Sequence, residues 1–190
     1  MSDALSFYSL AGQFLRLAEN AAELIVHEGN LHAVVTDDEI TPTQYKQMTR
    51  WSDHAVGIAI LFSFYHGIEL VLKGCVSLFG PVPTSHSLTS LLEQLKKAEP
   101  NAPLVATLAN YVGQINPFSP MGKFLAANNI SIDKWYQALK YPRSTTNKSF
   151  SHLELKYGAS YTVDYWNSLK LDSALVRKQA AQLINQVEPT

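Results

Sequence analysis

One cysteine, Cys75, stands alone in 190 residues, so no disulfide can close within the chain. No Cys/His set has the spacing of a zinc site, and neither a metal nor a cofactor is implied. Nine glycines and nine prolines are too few for a collagen-like or linker-like polymer. An excess of one charge is missing too: 15 Lys+Arg face 16 Asp+Glu, a formal net charge of -1. A polycation that coats nucleic acid is thereby excluded, and any contact with phosphates has to be local. The most apolar run, Ala55 to Tyr65, falls short of the roughly 18–20 residues of a membrane span. Met1 to Ser6 lack the basic and apolar regions of a secretory signal. Together these absences predict a soluble, cytoplasmic protein with no membrane partner.

What is present is apolar periodicity. At 46% hydrophobic residues the chain can build a core, and its length suits one domain. From Phe7 the positions Leu10, Phe14, Leu17, Ala18, Ala21, Leu24 and Ile25 recur at threes and fours up to Gly29-Asn30, which predicts an amphipathic helix. Thr41, Pro42 and Gln44 offer an N-cap, a first-turn proline and a capping-box partner. With no proline before Pro81, this second helix could reach Phe79, roughly 57 Å at 1.5 Å per residue, unless it breaks near Ser52-Asp53. Leu88, Leu91, Leu92 and Leu95 predict a third helix, and Leu104, Leu108, Val112 and Ile115 a fourth. A short helix from Ser131 precedes a polar loop at Arg143. Tyr161, Val163 and Tyr165 alternate with polar residues, which predicts a short strand or extended arm. A last helix from Asp172 would bury Leu175, Val176, Leu183, Ile184 and Val187. The fold expected is therefore a single all-α, up-and-down bundle of five or six helices with an irregular or extended insertion around 140–168.

Charge is distributed unevenly. Residues 1–40 hold seven acids against Arg16, whereas residues 134–156 hold Lys134, Lys140, Arg143, Lys148 and Lys156 against Glu154. Interleaved with Trp135, Tyr136, Tyr141, Phe150 and Tyr157, these bases suit either a phosphate-and-stacking surface or a solvated loop. On the second helix His66, Glu69 and Lys73 are related by three and four residues and share one face. They read either as an ion pair that fixes helix register or as a polar pocket between helices. His86, at the start of the third helix beside the capping residues Ser85 and Ser87, would come near one end of the second helix if the loop 80–85 folds the third back on it. Arg50 with His54, and Arg143 with His152, are the pairs that could supply a base and a cation for metal-free RNA cleavage. Phosphate-loop, dinucleotide, nucleophile-elbow and zinc-protease motifs are missing.

Tyr65-His66-Gly-Ile-Glu69-Leu-Val-Leu-Lys73-Gly74, then Ser85-His86-Ser87-Leu88 with Leu91-Leu92, and later Leu139-Lys140-Tyr141-Pro142, resemble in order and spacing the HEPN domains (higher eukaryotes and prokaryotes nucleotide-binding). The resemblance covers about residues 45–145. It implies a helical bundle that homodimerises and either binds nucleotide or RNA or cleaves RNA without metal, often as a toxin or defence effector. Glu69, Lys73, His86, Lys140, Tyr141 and Pro142 match its motif positions. Lys140 stands where many relatives carry Arg, which keeps the charge without the bidentate fork. The RNase branch places His after Arg and about four to six intervening residues, whereas Arg50 and His54 have three between them and Arg143 and His152 eight.

The expectation is thus a non-catalytic module that binds a nucleotide or RNA phosphate near His66, Glu69, Lys73, His86, Lys140, Tyr141 and Arg143. One alternative is an RNase completed across a dimer by Arg143 and His152 or Arg50 and His54. Another is a protein-interaction module, with the acidic first helix and the aromatic segment 157–166 as its surface. Twenty aromatic residues, three Trp, nine Tyr and eight Phe, further predict a homodimer, because they exceed what one small core readily takes.

Overall fold

The computed structural model describes residues 2–156 and 161–187. Among these it is all-helical, with eight α-helices: α1 Asp3–His27, α2 Pro42–Thr49, α3 Ile58–Ser77, α4 Leu88–Ala98, α5 Pro103–Val112, α6 Pro120–Asn128, α7 Trp135–Lys140 and α8 Tyr161–Val187. Tyr157 and Ser160 lie outside the described residues, so the proposed stacking surface and interaction segment are described only in part.

Helix α1 ends where Gly29 (φ 69°) and Asn30 (φ 54°) turn left-handed, as the Gly-Asn pair predicts. Its buried stripe is rotated from the expected one. Ala4, Ala11, Leu15, Ala18, Ala22 and Ile25 face inward, while Leu10 and Leu17 are 44% and 58% exposed. The reason lies on α3, where Gly67 leaves room for Leu15 and Gly74 for Phe7 and Ala4. Small residues on both helices permit an approach that larger side chains would prevent.

The second helix does break. Its capping box forms as expected, with Thr41 Oγ1 accepting from the Gln44 amide and Gln44 Oε1 from the Thr41 amide. At Ser52 the backbone becomes extended (φ -119°, ψ 158°). The Ser52 hydroxyl donates to the Thr49 carbonyl (2.9 Å) and the Asp53 amide donates instead to Asn30 Oδ1 (2.7 Å), so the helical ladder loses its next rung. A π-helical turn, Asp53–Gly57, then feeds α3. Asp53–Ser77 taken together is long and apolar enough to cross a membrane by length and composition, but 67% of its apolar window is buried inside the protein. Around α3 pack α1, α4, α7 and α8.

Helix α4 follows the expected apolar stripe, and Ser87 caps it by accepting from the Ser90 amide (3.1 Å). Helix α5 follows its stripe through Leu104, Leu108 and Val112 but ends there, so Ile115, expected on the same face, lies beyond it. Helix α6 was not anticipated, although Ser119-Pro120 at its start and the left-handed Asn129 (φ 52°) at its end are ordinary boundary signals. The largest correction falls at Tyr161 to Tyr165, which are helical rather than extended. The stripe that decides is Thr162, Trp166, Leu169, Ser173, Val176 and Ala180, all buried at helical spacing. Leu175 and Val187, expected inside, are 39% and 36% exposed. Among the described residues the expected insertion consists of an irregular segment, 141–152, with one antiparallel bridge between Arg143 and Ser149, and a 3-10 turn, Leu153–Leu155. One hydrophobic core absorbs much of the aromatic content: Trp135, Trp166, Tyr65, Phe64 and Phe124 are fully buried.

Candidate functional site

Helix α3 is buried on most sides, so an ionic side chain on it must find a partner within the protein. Glu69, 3% exposed, lies 2.9 Å through Oε1 from Lys73 Nζ, one turn further along. The same oxygen is 2.8 Å from His86 Nδ1, carried by the segment that leads into α4. In that segment Ser85 Oγ accepts from the Ser87 amide (3.1 Å). His86 therefore reaches the middle of α3 rather than its end. Its ring is 76% exposed, so the imidazole edge away from Glu69 faces solvent.

His66 completes the group less directly. Its Nδ1 stands 3.9 Å from Glu69 Oε2, beyond hydrogen-bond length, and is buried with no hydrogen-bond partner. The ring is held by an edge contact with Phe14 (4.5 Å) and by Phe62 (6.0 Å). Burial pushes the Glu69 carboxyl up, but the polar contacts of His66, Lys73 and His86 and the positive charge of Lys73 outweigh it and bring the pKa down to about 2.

Beside these groups opens a cavity of about 420 Å³, lined by His66, Glu69 and His86 on one side and by Asp133, Lys134, Tyr136 and Gln137 on the other. The second wall belongs to α7 and the 3-10 turn Ile132–Lys134 before it. Asp133 fastens that wall to α4 by accepting from the amide (3.1 Å) and the hydroxyl of Thr89. At the rim Lys140 donates to the Tyr136 hydroxyl (2.8 Å) and lies 4.8 and 5.2 Å from the ring centres of Tyr136 and Tyr141. The Tyr136 hydroxyl first, and Tyr141 beside it, raise the Lys140 pKa. The walls thus combine Glu69, paired with Lys73, and Asp133, hydrogen-bonded to Thr89, with two imidazoles and a lysine, and a second lysine sits on the tyrosine that closes one side.

His66, Glu69, Lys73 and His86 come together, and Lys140 and Tyr141 join them through Tyr136. Arg143 does not line the cavity. It is exposed on the 141–152 segment and donates to Asn147 Oδ1 (3.1 Å). His152 is turned inward, with Nε2 2.6 Å from the Ala138 carbonyl and its ring stacked 5.3 Å from Phe124. Arg50 pairs with Glu28 (3.3 Å). His54 lies on the π-helical turn beyond the extended Ser52, so the pair does not share a helix face as four-residue spacing would require. The Asp133–Thr89 clamp had no sequence signal, because no spacing rule joins side chains 44 residues apart. Lys134 and Tyr136 were visible only as members of a basic, aromatic segment. Among the described residues no three His, Cys, Asp or Glu side chains gather as a metal ion requires.

Comparison with known proteins brings no match: no family model fits the chain, and no curated protein or solved structure is significantly similar to it. The fold and site together define an all-helical protein whose most buried helix carries a paired-ion cluster open to solvent on one side.

Proposed function

We propose that the protein is a HEPN-like helical module that binds the phosphate of a nucleotide or RNA, without cleaving it, in the cavity between α3 and α7. The observation that carries this reading is the convergence of Lys73 and His86 on Glu69 at the edge of a solvent-open cavity. Lys73 neutralises Glu69 from within, leaving Lys134, Lys140 and the histidines to meet an anion. Tyr136 and Tyr141 offer faces on which a base can stack. Titrating ATP, GTP and a short RNA at low and moderate salt tests the reading. Saturable binding that weakens as salt rises is expected, since phosphate contacts release counterions. No binding even at low salt would overturn it.

RNA cleavage is the second reading, favoured by an exposed imidazole that a carboxylate orients: Glu69 holds His86 Nδ1 and leaves the opposite ring nitrogen outward. That arrangement suits proton transfer. Metal-free incubation with RNA, and the same assay on His86→Ala, decide it. Intact RNA after prolonged incubation removes this reading. A homodimer belongs to either reading, with exposed Leu10 and Leu17 on α1 and Leu171 and Leu175 on α8 as its apolar contacts. A monomer at micromolar concentration in light scattering would contradict it.

A further inference from the structure

A second cavity, of about 430 Å³, lies among α3, α5, α8 and the turn before α6 and shares no lining residue with the first. Its lining is different in kind. Tyr65, Tyr111 and Tyr165 converge on it from three helices, Phe118 stands at its edge, and the sole charged residue in its lining is the exposed Asp164. The three phenols are bonded differently. Tyr111 donates to Asp172 Oδ2 (2.6 Å) and Tyr65 donates weakly to the Tyr111 carbonyl (3.4 Å). The Tyr165 hydroxyl is buried with no hydrogen-bond partner in the protein. Burial raises the pKa of Tyr165 and leads the rise at Tyr65 and Tyr111, so these are neutral phenols that can accept a hydrogen bond as well as donate one.

The rim is built in place. The Asn116 side chain accepts from the Phe118 amide (2.9 Å) and its carbonyl from the Ser119 amide (3.0 Å). Gly122 lets this turn lie against α6, where an added Cβ would stand 2.2 Å from the Asn116 carbonyl oxygen. The turn holds the Phe118 ring out to solvent, 77% exposed, an arrangement that burial alone would not favour.

We propose that this cavity binds an organic cation: an ammonium group on an apolar or aromatic body. Aromatic faces attract a cation through their quadrupoles, Asp164 supplies the counter-charge, and the Tyr165 oxygen accepts an N–H. The apolar body lies against Met121 and the rings of Tyr65 and Phe118. No lysine, arginine or histidine lines the space to repel the charge.

Calorimetric titration with 2-phenylethylammonium, 2-phenylethanol and phenylacetate tests this. The ammonium is expected to bind saturably, the alcohol more weakly and the carboxylate weakest. Tyr165→Phe and Asp164→Asn should each weaken ammonium binding by roughly three- to tenfold. His86→Ala, on the other cavity, should leave it unchanged. Circular dichroism checks that each variant is folded, and if Tyr165→Phe is not, the exposed Asp164→Asn decides. Absence of saturable ammonium binding at millimolar concentration, equal binding of the three probes, or wild-type affinity in a folded Asp164→Asn would overturn the proposal.

Discussion

A carboxylate removed from water stays ionised only if fixed partners replace the hydration it gives up. Glu69 has two at hydrogen-bond distance, Lys73 and His86. Because its pKa falls from the ordinary 4.5 to about 2 on folding, its contribution to stability is present above the ordinary value. That contribution is lost as pH drops through the window between the two values. Glu69→Gln is therefore expected to be less stable than the parent at neutral pH by roughly 2–3 kcal/mol. The difference should shrink as urea unfolding is followed down towards the folded-state value, and a constant difference from neutral to strongly acid pH would contradict it. Helical spacing already placed His66, Glu69 and Lys73 on one face in the sequence. The partner that completes the cluster, His86, was expected near one end of that helix from the loop before the third, whereas its contact with Glu69 in the middle had no local signal. The wall opposite depends on Asp133 meeting Thr89 across a long stretch of chain, which no local pattern encodes.

At the scale of the elements, two glycines on neighbouring helices call for opposite outcomes. A Cβ at Gly67 would lie 2.6 Å from Leu15 Cγ, whereas one at Gly12 meets nothing within 4 Å. Gly67→Ala should cost about 1–3 kcal/mol through overpacking of the α1–α3 contact. Gly12→Ala should stabilise by about 0.5–1 kcal/mol through helix propensity. Chemical denaturation of both variants reads the contrast, and equal effects would refute the close approach. A third element-level test is Asn30, which is buried and left-handed and ties the end of α1 to Asp53 and to Thr162 at the start of α8. Asn30→Ala should lower stability by roughly 2–4 kcal/mol in the same assay; a neutral result would mean that this junction is dispensable. Local chemistry announced most helix starts, as at Thr41 and Ser87, because capping involves only near neighbours. It misread Tyr161 to Tyr165, where the period of two fits a strand, although positions 161 and 165 also share one side of a helix with 163 on the other. Burial of Thr162, Trp166 and Leu169 by distant helices settled the matter. The break at Ser52 likewise depends on Asn30, from a different helix.

For the whole molecule, the near-zero charge accompanies two cavities of different lining. One is lined by His66 and His86 with Glu69, Asp133 and Lys134; the other by Tyr65, Tyr111 and Tyr165 with Asp164 as its one charged residue. That the chain forms one helical core was legible from its apolar periodicity and balanced composition. The position of each cavity was not, because each is walled by side chains from three or more separated segments. The central claim, that a phosphate-bearing ligand enters between α3 and α7, is tested most directly by following the imidazole resonances of the six histidines during an ATP titration at low salt. The His66 and His86 signals should shift along one common saturation curve, and those of His54 and His152 should stay in place. Immobile His66 and His86 signals, or shifts confined to the other histidines, would contradict it.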